Sequence, residues 1–502
     1  MKVGVDVGTV SSRAASGCNP ARVLTDNNAN REIPSLIKIL STHRLFGRSA
    51  QFPSAADRVI SDVRRNDLKE NGVDYAMLLE NLLKQTVNDD VTHLVATVPV
   101  CFTSSERVIL KQLIEVVVPG AKIRVVNEST AAAVAYGVDN FARDDPVQKD
   151  VLIFKLGAGF LDVAVADISW NSVVVKEAFG ERLGGIDFTR DLAEDLRRKF
   201  SFQYNYKYKI KSGSLLLKEA EDIKRRLRLS DPFGVSFCIY EAADGIDFKG
   251  KYTSDDFRKA CKSNIKRLEK VIRKIKSRVC KVVLIGGGSR MQFVEELLTT
   301  RFPGATIMKN ISAEEAAVQG AGILAEHFAK DTLFTSVAGH DSGGFYLREI
   351  SSHEISLLKH GGVVLDYNST IPSGLISLGN RNHMIFENGV QLSGESKFNA
   401  FSVDAEGMVH VCLWEEFPLR GLTTNEIEKV QQKMNEFNDL DARYKREHSD
   451  ARYSEIENFK ADYRRNQSGV DRSRSHVRGC RDNFAQKRPR SQVQLHQAWL
   501  QN

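Results

Sequence analysis

Lys149-Asp-Val-Leu-Ile-Phe-Lys155-Leu-Gly157-Ala158-Gly159-Phe160-Leu-Asp162-Val-Ala-Val165 reads as an apolar strand, a glycine turn and a second apolar strand. At glycine no Cβ blocks an approaching oxyanion, and successive backbone N–H groups in such a turn form an anion nest. Val3-Gly-Val5-Asp6-Val7-Gly8-Thr9-Val10-Ser11 repeats the design at the start of the chain. Two such hairpins facing each other can clamp one phosphate chain. The unusual residue is Lys155, which stands where a phosphate-cradling hairpin carries an acid. A cation there can neutralise phosphate in place of a metal: at ~4 Å and an effective dielectric near 20, each charge pair is worth roughly 4 kcal/mol before desolvation. The alternatives are that Lys155 turns out to solvent or pairs with Asp6.

The bounds agree with a nucleotide-binding machine of ordinary globular make-up. The chain has 502 residues, 42% hydrophobic and 27% charged, enough for two to four domains. Seven cysteines are scattered without a C-x-x-C pair, which indicates neither a disulfide framework nor a zinc site. No apolar run approaches the roughly 18 to 20 residues of a membrane span, and Met1 leads straight into a strand, so a cytoplasmic protein without membrane contact is expected. The net charge of +7 sits at the C-terminus: from Tyr463 to Asn502 there are nine Lys and Arg against two acids. This Arg-, Ser- and Gln-rich tail reads as disordered, either merely solvated or contacting a ribosome, RNA or another acidic surface.

From 1 to about 330, Val- and Ile-rich runs (2–7, 93–99, 122–126, 150–155, 161–168, 281–286) alternate with helical patterns (76–86, 104–115, 128–137, 187–200, 214–229, 254–277, 291–301, 313–328). Such alternation predicts an α/β domain. Residues 331–337 read as a linker able to add to a sheet edge. Residues 338–420 lack helical period and carry Gly pairs and alternating runs, which predicts a small, compressed β domain with a hairpin turn at Asp404–Gly407. Thr423-Thr424-Asn425-Glu426 caps a long polar helix that covers something else, over 421–465, and 466–502 is the tail. The basic stretch Lys262–Arg278 keeps apolar residues at helical spacing and reads as a half-buried surface helix.

Further elements complete the cleft. Asp6 at its strand end could hold magnesium through water, with Asp162 a second outer-sphere carboxylate. Leu284-Ile-Gly286-Gly287-Gly288-Ser289-Arg290 joins a strand to a helix with bare backbone that can admit an adenosine. Glu221, Lys224 and Arg225 share one helix face, placed to reach ribose hydroxyls and stack on a base.

The order of these segments, with Thr97-Val-Pro99, Val126-Asn127-Glu128-Ser129-Thr130-Ala-Ala-Ala-Val-Ala-Tyr136-Gly137 and Leu183-Gly184-Gly185-Ile-Asp187, resembles the 70-kDa heat-shock chaperone family within the actin-like ATPase superfold. The resemblance implies an actin-like nucleotide-binding domain over 1–330, an allosteric linker at 331–337, a β-sandwich peptide-binding domain at 338–420 and a helical lid at 421–465. It implies ATP or ADP with magnesium as cofactors. Asp6, Thr9, Arg64, Glu128, Lys155 and Asp162 fall at catalytic positions. Gly8, Thr9, Val10, Gly157, Ala158, Gly159, Gly184, Gly185, Glu221, Lys224, Arg225, Gly286, Gly287, Gly288, Arg290 and Glu314 fall at nucleotide-binding ones. Partners would be unfolded or extended polypeptide, a J-domain co-chaperone and a nucleotide-exchange partner.

Departures qualify the activity. In the family the position of Lys155 is an aspartate that helps place ions, that of Phe160 is a threonine near the phosphates, and the water-orienting lysine is replaced by Arg64. Ser129 stands where the family has a proline coupled to an arginine, here Arg107. The expectation is a divergent chaperone binding nucleotide and polypeptide with hydrolysis weak or lost. The alternatives are a structural or transport adaptor that uses the tail on RNA or ribonucleoprotein, and an active foldase, which Lys155 and Phe160 disfavour.

Overall fold

The computed structural model describes the chain from Met1 to Arg446, apart from residues 18–19, 52–57, 206, 228–232, 335–343 and short stretches between 351 and 420. Two mixed sheets share one plan. In the first, Lys2–Val7 and Ser11–Ser16 form an antiparallel hairpin, and His93–Val98 and Lys122–Asn127 continue parallel from its first strand. In the second, Gln148–Leu156 and Leu161–Ser169 form the hairpin, with Lys281–Ile285 and Thr306–Met308 parallel on one side and Ser172–Glu181 antiparallel on the other. Each hairpin turn is thus a glycine loop at the end of a central, largely buried strand.

Helices Glu128–Asn140 and Ala316–Ala329 pack on each other between the sheets. Small residues permit the approach: a Cβ on Gly320 would collide with the Ala131 backbone, and one on Gly4 with the backbone at Ala321 and Gly322. Ala131, Ala132, Ala133, Ala321 and Ala325 join strand residues Ile153, Val283 and Ile285 in the same core.

The α/β alternation read from the sequence matches these elements closely. The 254–277 pattern divides into Ser254–Ala260 and Lys262–Lys274 at Cys261, and the helix expected to reach 229 stops at Arg226. As expected of 331–337, Leu333–Phe334 adds to the sheet edge: it pairs parallel with Phe345–Ile350, which itself runs parallel to Ser172–Glu181 in the second sheet. Phe345 and Ile350 are buried.

Beyond that edge, short antiparallel strands lie between Ile355 and Pro418. Val403 pairs with Val409 across the hairpin expected at Asp404–Gly407. A helix spans 424–446, capped by Thr423, whose hydroxyl accepts from Glu426 N while Glu426 receives the Thr423 N–H. Its apolar side covers the N-terminal lobe: Leu422, Val430 and Met434 are buried in the core that holds Leu79, Leu82 and Leu113. Arg44 fixes it there through Asp441 (2.7 Å) and Asn438 (2.9 Å). Residues 447–465 and the basic tail lie outside the described residues.

Candidate functional site

The two central strands aim their ends at one buried chain of charges. Asp6 accepts from Thr97 Oγ1 at 2.8 Å and from Arg64 Nη1 at 3.1 Å. Arg64 lies on the tight turn Val63–Arg65, with its guanidinium against the rings of Phe102 and Phe160 (5.9 and 5.8 Å), and reaches Glu128 at 2.5 Å. Glu128, the first residue of its helix, receives the Lys155 ammonium on its other oxygen. The hairpin register places Asp162 opposite Lys155, and Asp162 Oδ1 accepts from Val100 N at 2.9 Å. Lys155 is therefore neither turned to solvent nor seated on Asp6. Only 9% exposed, it lies beneath the Gly157 turn and bonds to Glu128.

Electrostatics balance this chain internally. Burial alone would raise Glu128, but Arg64 and Lys155 hold its carboxyl below the ordinary range. Burial and the neighbouring Glu128 push Asp162 well above that range. Burial would discharge Lys155, yet Glu128, Asp6 and Asp162 keep it cationic. Two cations, Arg64 and Lys155, thus stand among three carboxyl groups, Asp6, Glu128 and Asp162.

That balance decides the fit of a magnesium ion. Asp6 is committed to Arg64 and Thr97, Asp162 accepts from the Val100 backbone, and the Lys155 cation lies in the field of both carboxyl groups. The residues do not fit a divalent ion at Asp6 and Asp162, and no cluster of metal-ligating side chains occurs among the described residues.

The glycine turns pack closely. Three backbone turns meet: Gly185 N donates to Gly157 O and Ile186 N to Ala158 O, both at 2.9 Å. A Cβ on Gly184 would strike the Ala158 carbonyl, and one on Gly286 or Gly288 the Leu156 carbonyl; Gly286 also has φ +82°. Gly159 lies against Thr9 Oγ1 and Arg65, so the first hairpin, at Gly8, Thr9 and Val10, meets the second across the cleft. The N–H groups of Gly8, Gly157 and Gly286 donate to Ser11 O, Phe160 O and Ala313 O, so these turns are held backbone to backbone.

Helix Gly213–Arg226 behaves differently from a solvated charged face. Lys224 donates to Gly185 O (2.9 Å) and Thr189 Oγ1 (2.8 Å), and its pKa is lowered by burial. Glu221 bonds Lys224, Thr189 and Arg225, which leaves Arg225 exposed at the rim. Glu314 lies between Arg290 (3.0 Å) and Arg13 (3.6 Å), joining the two lobes. Sequence reasoning missed Arg65, which pairs with Asp187 at 2.7 Å, and Asp62, which pairs with Arg190 at 2.8 Å. Both pairs cross the same cleft, and Arg65 and Asp187 stood beside residues already singled out.

Comparison with known proteins settles the family. The family model described as Hsp70 protein matches residues 72–364, more than half of the chain. The chain belongs to the Hsp70 family. Members of this family are ATP-binding chaperones. Curated relatives are distant: a ribosome-associated molecular chaperone of Eremothecium gossypii is 27% identical over 74% of this chain and 68% of its own length. The heat shock 70 kDa protein 2 of Paracoccidioides lutzii is 26% identical over 74% and 64%. A ribosome-associated molecular chaperone of Saccharomyces cerevisiae is 27% identical over 74% and 68%. This Hsp70 thus spans about two thirds of the length of the relatives it matches. No helix among its described residues is long and apolar enough to cross a membrane.

Proposed function

We propose that this Hsp70 is a chaperone-type polypeptide binder that takes ATP or ADP among its glycine turns and turns nucleotide over slowly or not at all. The observation that carries the reading is the closed charge chain Asp6–Arg64–Glu128–Lys155. A hydrolytic site needs a carboxylate free to orient water and an ion to neutralise the leaving phosphate. Here Asp6 and Glu128 are bound by cations, burial draws Asp162 toward its protonated form, and Lys155 beneath the Gly157 turn supplies positive charge without an ion's coordination geometry. Binding is therefore retained through Gly8, Gly157, Gly159, Gly184 and Gly286, while the chemistry is not.

In this reading residues 1–330 form the nucleotide domain, 331–337 opens the connection, 338–420 is a compressed polypeptide-binding β-sandwich and 421–465 a lid, followed by the tail at 466–502. The partners are an extended polypeptide, a J-domain co-chaperone, a nucleotide-exchange partner and, through the tail, the ribosome or RNA. A calorimetric titration of ATP and ADP with and without magnesium, beside single-turnover hydrolysis, tests it on the intact chain and on Lys155→Asp. The expected result is magnesium-independent binding without turnover, and turnover appearing in the variant. Magnesium-dependent hydrolysis by the unaltered chain overturns the reading.

A further inference from the structure

Residues 196–218 contain seven Lys and Arg and no acid, interleaved with Phe200, Phe202, Tyr204 and Tyr208. The end of helix Gly185–Gln203 meets the hairpin of Val235–Ala243 and Ile246–Tyr252, and a cavity of about 260 Å³ opens between them. Its floor is aromatic: Phe237 and Phe248 meet edge to face at 4.9 Å, and Phe248 meets Phe200 likewise at 5.3 Å. Gly250 lets the Phe237 ring lie against bare backbone, which a Cβ would prevent. At the rim Phe202 is 76% exposed, and Lys199, Lys249 and Lys251 complete the lining. Lys199 pairs with Asp256 (2.8 Å) and Lys249 with Asp247 (3.1 Å), while Lys251 is exposed and has no ion pair among the described residues. Tyr240, 72% exposed, adds a ring 5.8 Å from the Lys249 ammonium.

We infer that this face binds single-stranded nucleic acid. A phenyl ring left open beside an aromatic-floored cavity offers a stacking platform to a base, and the surrounding ammonium groups suit the phosphates that flank it. An acidic peptide would use the lysines but would gain nothing from the open face of Phe202. A duplex keeps its bases stacked internally and could not present one to the cavity. The inference is independent of the nucleotide cleft, because none of these residues belongs to it.

The test is fluorescence anisotropy of a 5′-fluorescein oligouridylate on the full chain, over a range of salt. Phe202→Ala is expected to weaken binding about tenfold at every salt concentration, as loss of one stacked base would. Lys251→Glu should weaken it and flatten the slope of log affinity against log salt by about 0.7 or more. Both sites are exposed, so matching melting curves will exclude misfolding. A full-length variant with the bases of 464–490 neutralised should keep its sensitivity to Phe202→Ala. The inference is overturned if both rim variants bind like the parent, if the Phe202 effect vanishes with the tail charges, or if duplex RNA or polyglutamate competes equally.

Discussion

Replacing Lys155 by methionine keeps an unbranched stem of four heavy atoms and removes the charged ammonium. Its ammonium bonds Glu128 and lies in the field of Asp6 and Asp162, all out of water. Breaking one half of a buried pair typically costs about 3–5 kcal/mol, because the surviving ion stays buried without its partner. Arg64 continues to hold Glu128 at 2.5 Å, so the lower end, about 3 kcal/mol, is the expected loss at neutral pH. Its pH dependence is the more decisive signature. In the parent, Glu128 is held below 4.5 against the effect of burial by Arg64 and then Lys155. Its contribution is therefore complete above that value and fades only as pH falls through the folded one. In the variant one guanidinium faces the Glu128–Asp162 pair and Asp6, and the Glu128 carboxyl moves above 4.5. The variant then sheds its penalty by taking up a proton as pH falls, so the difference from the parent is largest near pH 8 and shrinks toward pH 5. Urea unfolding at pH 5, 6, 7 and 8, with hydrogen exchange of the Leu152–Leu156 amides to localise the change, measures this. A loss below about 1 kcal/mol, or one equal at every pH, would refute the buried-pair reasoning.

Two contacts between the C-terminal segments and the N-terminal lobe yield further tests. Glu387, on strand Ile385–Glu387, accepts the Ser104 N–H on both oxygens at 3.0 Å at the start of helix Ser104–Val117, and burial pushes its carboxyl up to about 7 despite Arg107. A raised acid favours the bonded state below 4.5 and loses that advantage up to about 7, a span worth roughly 3 kcal/mol. Protection of the 104–107 amides, after correction for the intrinsic rise of exchange with pH, should thus fall between pH 5 and 7.5 in the parent and not in Glu387→Gln; an identical corrected profile in both would count against Glu387 as the titrating group. Asp441→Ala removes the carboxylate that holds buried Arg44 and should cost about 2 kcal/mol. The helix over 424–446 would then detach, read as faster tryptic cleavage at Lys429 and Lys433, whereas unchanged cleavage would show that Val430, Met434 and Phe437 suffice.

The α/β part was legible because its strands are Val- and Ile-rich and its helices carry apolar residues at helical spacing. Ser11–Ser16, whose sequence is Ser-Ser-Arg-Ala-Ala-Ser, escaped that reading: it is a strand only because it pairs with Lys2–Val7, a tertiary demand its composition does not announce. Phe345–Ile350 was taken into the β domain because alternation cannot say which sheet a strand joins. In the site, the glycine turns and Lys155 were visible as residue types at fixed positions. The partner of Lys155 was not, since Glu128 is 27 residues away and reaches it only when the helix that starts at Glu128 is set against the hairpin. Nor could the sequence reveal that Lys224 turns inward to Gly185 and Thr189, because an Ile223 neighbour and a charged face are equally consistent with solvent exposure.

The position of Glu128 ties the charge chain to the C-terminal strands. Its neighbour Asn127 accepts from Arg107 Nη2 at 2.7 Å and donates to Glu349 at 3.4 Å, and Glu349 belongs to the strand that extends the second sheet. Arg107 in turn donates to the Glu406 carbonyl at 3.2 Å, while the Glu406 carboxylate pairs with Lys111 at 3.2 Å and accepts from Val125 N at 3.1 Å. These links meet at one backbone step, Asn127–Glu128, where the family's proline is replaced by Ser129 immediately afterwards. A side chain held by two cations at one end of that step restricts the amide at the other. In a site that relied on a nucleotide-borne ion, the position of Glu128 would change with occupancy. With Arg64 and Lys155 built into the chain, the step is held by the protein's own cations, so in the proposed reading slow turnover and a fixed arrangement of the C-terminal strands would have the same physical origin.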